Sequence, residues 1–118
     1  MHDVAIDAAI YAHKMWFLRL RNAIDKGESD FKPEIVKTDN RCEFGKWLYG
    51  DFPQEFKAGS TYGEIKILHA KFHVEASKIL ELALKGDKKA AAKMLDDANG
   101  IKIISDSLIV LLDRLKTF

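Results

Sequence analysis

Apolar side chains recur every three or four positions along most of this chain. In the first such stretch they include Ile6, Ile10, Trp16 and Leu20, a spacing that places them on one face of an α-helix. Similar stripes run through residues 61–85 and 88–116. Both prolines, at 33 and 53, lie in the first half, and the long stretches on either side contain strong helix formers. The pattern therefore predicts an all-α protein.

Capping residues and glycines set the expected ends of the helices. The first helix should begin at Asp3 and end near Gly27, and residues 28–38 should form a connector with room for one turn of helix. Further helices are expected at residues 40–49 (with Asp39 as N-cap and Gly50 as the stop), 51–57, 61–85 and 88–116. In the last of these, Asn99 and Gly100 offer a possible break, although a single helix is expected.

Helices of these lengths, joined by brief connections, predict an antiparallel four-helix bundle with an additional short helix that carries Cys42. The chain has 118 residues, 47% of them hydrophobic, which is enough for one domain, residues 1–118, with a real core. Its 19 basic and 18 acidic residues are interspersed. Without a basic stripe, nucleic acid and anionic lipid are not expected as partners.

The sequence also predicts where the protein works. It contains no apolar stretch near the roughly 20 residues that a membrane span requires, and its N-terminus lacks the pattern of a secretory signal, so no membrane contact is expected. The single cysteine, Cys42, cannot close a disulfide within the chain. A reducing cytoplasm is therefore the expected compartment, and there the thiol remains available as a metal ligand.

Candidate chemistry comes from three histidines and this cysteine. His13 lies within the apolar stripe of the first helix, and His69 and His73 are four residues apart on a later one, which places both imidazoles on the same helix face. Three imidazoles and a thiolate match a closed tetrahedral Zn²⁺ site. With all four positions filled by the protein, no position is left for activating water, so the sequence predicts no enzyme.

Two other metal-dependent functions fit the sequence poorly. A zinc hydrolase of the metalloprotease type needs a glutamate directly after the first histidine of the pair, where this chain has Ala70. A di-iron oxygen carrier needs about five histidines with bridging carboxylates, and only His13, His69 and His73 are usable here. Each ligand taken alone is more often an ordinary core residue, so the hypothesis depends on the whole pattern.

Three segments, taken in order, carry a resemblance to a known family: His13-x-x-Trp16, Cys42-x-Phe44-Gly45-x-Trp47 and His69-x-x-x-His73. Together they resemble the chemoreceptor zinc-binding domain, a bacterial signalling module. The resemblance implies that His13, Cys42, His69 and His73 bind one Zn²⁺. It also implies a homodimer, with the first and last helices as the expected contact surfaces.

The resemblance further implies a sensory or regulatory function. Members of the family act with a chemoreceptor signalling domain or a diguanylate cyclase, so the expected output is chemotaxis or cyclic-di-GMP signalling. Two inputs stay open at this point: the zinc level, or oxidation of Cys42 by hypochlorous acid-type oxidants. The alternative is a structural, zinc-stabilised dimerisation module without sensing.

Overall fold

The computed structural model describes residues 3–38, 42–50 and 52–116, and all secondary structure in these ranges is helical. The helices are α1 (Asp3–Lys26), α2 (Pro33–Val36), α3 (Glu43–Tyr49), α4 (Gln54–Lys57), α5 (Ser60–Leu84), α6 (Lys88–Asp96) and α7 (Ile101–Leu115). The predicted all-α class is confirmed. None of the described helices is both long enough and apolar enough to cross a membrane.

The two longest helices follow the predicted boundaries to within one residue. Helix α1 ends at Lys26, and Gly27 follows with a φ of 71° while its N–H donates to the carbonyl of Ala23. Gly86, after α5, has a φ of 83°. Glycine reaches this left-handed region without the steric cost of a Cβ atom, which is why it commonly terminates helices.

The expected single helix over 88–116 is wrong, because the chain breaks between α6 and α7. The side chain of Asp97 accepts a hydrogen bond from the N–H of Asn99 at 2.9 Å, and the N–H of Gly100 donates to the carbonyl of Asp97 at 3.1 Å. An aspartate that bonds the backbone two residues ahead stabilises a turn in competition with the helix. The break therefore has a local cause.

The short helices are shorter than expected. Helix α2 is the single turn that the connector has room for, and α4 begins at Gln54, whereas the sequence predicted a start at residue 51, which lies outside the described residues. Helix α3 begins at Glu43, and its N-cap is Cys42. The predicted cap Asp39 and the predicted helical residues 40 and 41 also lie outside the described part of the chain.

Two apolar clusters define how the long helices run. Ile6 and Ile65, near the starts of α1 and α5, share one cluster with Leu112 near the end of α7. Ile24 and Ala83, near the ends of α1 and α5, lie in the other. Helices α1 and α5 therefore run in the same direction, and α6 and α7 run back against them.

The exact antiparallel four-helix bundle is thus not confirmed. Three rods, α1, α5 and the broken α6–α7, form the bundle, and α2 and α3 pack beside α5 and α1 respectively. The reason is the length of the connection over residues 27–59, which carries three short helices and returns the chain to the end where α1 began. Cys42 lies on this connection and contacts both apolar clusters.

Core packing predicts a contrast between two neighbours on α7. Leu112 is fully buried (0% exposed) and Val110 is half exposed (50%). We expect Leu112→Ala to lower the free energy of unfolding by about 2–5 kcal/mol, because it removes buried methyl groups and leaves a cavity. The control Val110→Ala should change it by less than about 0.5 kcal/mol. Urea denaturation followed by circular dichroism measures both, and equal losses would contradict the described packing.

Candidate metal centre

Three potential metal ligands converge where the connector crosses α5. The sulfur of Cys42 lies 3.4 Å from Nε2 of His69 and 3.3 Å from Nε2 of His73. The two Nε2 atoms are 3.0 Å apart. The three donor atoms form a triangle small enough for all of them to bind one metal ion.

The size of the triangle fits zinc. Zn–N bonds of about 2.0–2.1 Å and a Zn–S bond of about 2.3 Å, at tetrahedral angles, require about 3.3 Å between nitrogens and about 3.6 Å between nitrogen and sulfur. The observed separations are shorter by only about 0.2–0.3 Å. One thiolate and two imidazoles are also ligand types that zinc binds. The residues present therefore fit the ion in both spacing and chemistry.

Cys42 is held by the start of α3. As the N-cap residue it is extended, with φ −82° and ψ 165°, and its sulfur accepts a hydrogen bond from the N–H of Gly45 at 3.2 Å. A capping side chain normally accepts from this third helical residue. The bond orients the sulfur, which is partly exposed, towards the two imidazoles of α5.

His69 and His73 are both buried on one face of α5. The Nδ1 of His73 lies 2.8 Å from the carbonyl oxygen of Val36 in α2. Because a carbonyl oxygen only accepts, Nδ1 carries the proton and Nε2 presents its lone pair towards Cys42. Partners of this kind commonly fix the orientation of metal-binding histidines. Sequence reasoning missed Val36, since a backbone carbonyl leaves no signal in a side-chain pattern.

His13 lies near this cluster but is not part of the triangle. It is buried, and its Nε2 lies 2.9 Å from the hydroxyl oxygen of Ser105 on α7. Its ring centroid is 4.2 Å from that of Phe72 and 5.9 Å from that of Phe44. Of the four predicted ligands, the structure brings Cys42, His69 and His73 together, and the ligand role of His13 stays a prediction.

Aromatic rings enclose the imidazoles. Phe44 stacks on His69 with 4.4 Å between ring centroids, and Trp16 meets the ring of His73 edge-on at 5.6 Å. Of the two tryptophans, Trp16 therefore contacts a candidate ligand directly, whereas Trp47 packs on Phe44 with 5.9 Å between ring centroids.

Burial keeps His13 and His69 neutral. It lowers the pKa of His13 to about 4, with smaller contributions from the charges of His73 and Lys14. It likewise lowers the pKa of His69 to about 2, assisted by His73 and His13. A neutral imidazole is the form that binds a metal. At neutral pH the site is therefore ready to accept a cation.

Fold and site together define a helical domain in which two buried imidazoles and a partly exposed thiol form a cluster that could hold a metal ion. The sequence matches the family described as the chemoreceptor zinc-binding domain over residues 13–80, a span that begins at His13 and includes Cys42, His69 and His73. Because the match covers more than half of the chain, this protein belongs to the chemoreceptor zinc-binding domain family, as its motifs predicted. No curated protein and no solved structure matches the chain.

The lowered pKa values predict how the metal-free protein responds to acid. Below a pH of about 6.5 the unfolded chain takes up protons on His13 and His69, whereas the folded chain does not. The stabilisation is therefore complete above that pH and is lost as the pH falls. Between about pH 6 and 5, the free energy of unfolding should fall by about 1.2 kcal/mol for each histidine.

Urea denaturation in the presence of a chelator measures this slope. Replacing one of the two histidines, as in His69→Gln, should remove its share of the pH dependence, even if the variant is less stable overall. A stability that does not change over this range would show that neither histidine is held neutral by the fold.

Proposed function

We propose that this chain is a regulatory, sensory domain that binds one Zn²⁺ through Cys42, His69 and His73, with His13 as the fourth ligand. One observation carries the proposal: the thiol of Cys42 on the connector meets two imidazoles of α5 at spacings close to those of a tetrahedral site. Membership of a family described by its zinc binding supports the identity of the ion.

The position of His13 supports its inclusion. Its ring contacts Phe44 and Phe72, and those same rings contact His69 and His73 respectively. His13 also contributes to the lowered pKa of His69, so the two imidazoles interact electrostatically. To bind through Nε2, His13 would exchange its hydrogen bond with Ser105 for the ion.

Four protein ligands favour regulation over catalysis. Bound zinc would supply a positive charge shared by α1, the connector and α5, and a site filled by the protein has no position for an activated water. Because ligands from three segments are joined, occupancy is coupled to how these segments pack. We therefore assign the chain no enzymatic activity.

Two inputs are consistent with the site, and both act through ligand loss. One is the zinc level itself. The other is oxidation of Cys42 by a hypochlorous acid-type oxidant: the thiolate transfers an electron pair to the oxidant, a sulfenic acid forms, and chloride leaves. The partial exposure of Cys42 supports the second input.

We place this function in the bacterial cytoplasm, where the single thiol stays reduced. The proposed output is chemotaxis or cyclic-di-GMP signalling, through a chemoreceptor signalling domain or a diguanylate cyclase. Family membership supports this assignment.

Metal analysis tests the proposed ligands. The purified protein should contain one zinc per chain, and Cys42→Ala should weaken binding by more than the roughly 10–100-fold that changes to the surroundings of a ligand produce. His13→Ala should also weaken binding, and His2→Ala serves as the matched histidine control. Competition with a chromophoric chelator measures affinity, and circular dichroism verifies that helix content is retained. Unchanged affinity in Cys42→Ala would remove the thiolate from the site.

The same measurement separates the inputs. Zinc lost on treatment with hypochlorous acid supports redox sensing, whereas zinc that resists oxidant but exchanges with a chelator supports metal sensing. If the protein keeps one conformation in all of these states, it is a structural zinc module without sensing.

We further propose that the chain forms a homodimer through α1. Helix α1 exposes Val4, Tyr11 and Leu18 to 83%, 67% and 62%, and these residues are spaced by seven. Ala8 and Met15 lie between them, which completes an alternating four-and-three repeat typical of a coiled-coil seam. The opposite face of α1 is buried in the core. A second copy of the same seam is the simplest partner for this face.

Sedimentation equilibrium tests this interface. We expect the native protein at twice the 13.4 kDa of one chain, and the double variant Tyr11→Lys, Leu18→Lys at the mass of a monomer, because charges would be buried in an apolar seam. Ile67→Lys, at an exposed position on α5, is the control and should remain dimeric. A native protein that is monomeric at about 100 µM contradicts the proposal.

A further inference from the structure

A cavity of about 240 Å³ lies beside the metal centre, between α1 and the connector. Its lining includes Trp16 and Arg19 from α1, Phe31 and Cys42 from the connector, and His73 from α5. Phe31 is exposed and Cys42 is partly exposed, so the cavity connects solvent to the sulfur atom. Its volume is below that of typical drug-sized pockets, which suits a molecule of a few heavy atoms.

Among the described residues that line the cavity, one carries a fixed charge, namely Arg19. The guanidinium lies 4.9 Å from the ring centroid of Trp16 and 5.1 Å from that of Phe31, and the two rings are 5.2 Å apart. Stacking on aromatic faces holds the guanidinium in place and leaves its N–H groups directed outward from its edge.

The position of Arg19 favours anions. Within the described ranges no carboxylate pairs with Arg19, in contrast to Arg21, which forms an ion pair with Asp96. A fixed cation in a cleft with apolar walls raises the local concentration of negatively charged molecules. The aromatic rings offer surface to an apolar portion of the same molecule.

We infer that this cavity binds small monoanions with an apolar portion, such as short carboxylates, and that Arg19 selects them and brings them to the Cys42 sulfur. The inference deepens the proposed oxidant input, because it names a route to the thiol and the charge of the molecules that this route favours. It rests on that proposed function only for its biological meaning. The cavity and the charge of Arg19 do not depend on bound zinc.

Alkylation of Cys42 by two reagents of nearly equal size tests the selection. Iodoacetate is an anion and iodoacetamide is neutral, and both react in the same way. The thiolate attacks the CH₂ carbon, the S–C bond forms, and iodide leaves with the electrons of the C–I bond. The full chain, freed of metal by a chelator, is used so that the result does not depend on zinc binding.

The measured quantity is the rate with iodoacetate divided by the rate with iodoacetamide, relative to the same ratio for free cysteine. We expect this ratio to be about 10-fold above that of free cysteine in the native protein, and to fall as salt is added. Arg19→Gln should abolish the preference, and Arg19→Lys should keep part of it. Arg21→Gln, which removes a positive charge from the same helix outside the cavity, should leave the preference unchanged.

A second measurement detects binding directly. Butyrate should slow the alkylation of Cys42 by iodoacetamide in the native protein and should not do so in Arg19→Gln. Equal rate ratios in the native protein and Arg19→Gln, or the absence of protection by butyrate, would overturn the inference. A protein that prefers the anion yet binds no zinc would keep this inference and lose the proposed function, and the reverse result would do the opposite.

Discussion

The structure depends on how three imidazoles are accommodated in an apolar interior. A buried polar group is costly unless a hydrogen bond or an ion satisfies it. His13 lies against the hydroxyl of Ser105, and His73 donates to the carbonyl of Val36. The Nε2 atoms of His69 and His73 instead face one another and the thiol. A divalent cation would bind these lone pairs and so offset the cost of burying them together. This explains the arrangement as a metal-binding site.

The direction of the helices makes this grouping possible. Because α1 and α5 run the same way, the chain between them must travel back along the bundle, and this return path carries α2 and Cys42 past the middle of α5. Ser77 adds to the attachment by donating to the carbonyl of Pro33 at 3.0 Å. The connector is therefore held against α5 at two points, where the carbonyl of Val36 accepts from His73 and the carbonyl of Pro33 accepts from Ser77.

Much of this was predictable from local sequence. The stripes of apolar residues gave α1 and α5 nearly to the residue, and the spacing of His69 and His73 gave a shared helix face. A single helix was expected over residues 88–116, although Asn99 and Gly100 offered a break point, because the apolar stripe continues on both sides. The hydrogen bonds that Asp97 accepts from Asn99 and Gly100 interrupt the helix there. The directions of the helices depend on residues far apart in the sequence, as do the contacts of Val36 and Ser105 with the histidines. Such long-range contacts leave no periodic signal.

The sulfur of Cys42 has two structural functions at once. It faces the imidazoles of α5, and it also caps the start of α3 by accepting a hydrogen bond from the N–H of Gly45. Adding an oxygen to this sulfur would change the acceptor that a backbone amide depends on, as well as a ligand. A chemical change confined to one atom would thereby become a change in where a helix starts, and so in the shape of the surface that α3 presents to neighbouring molecules.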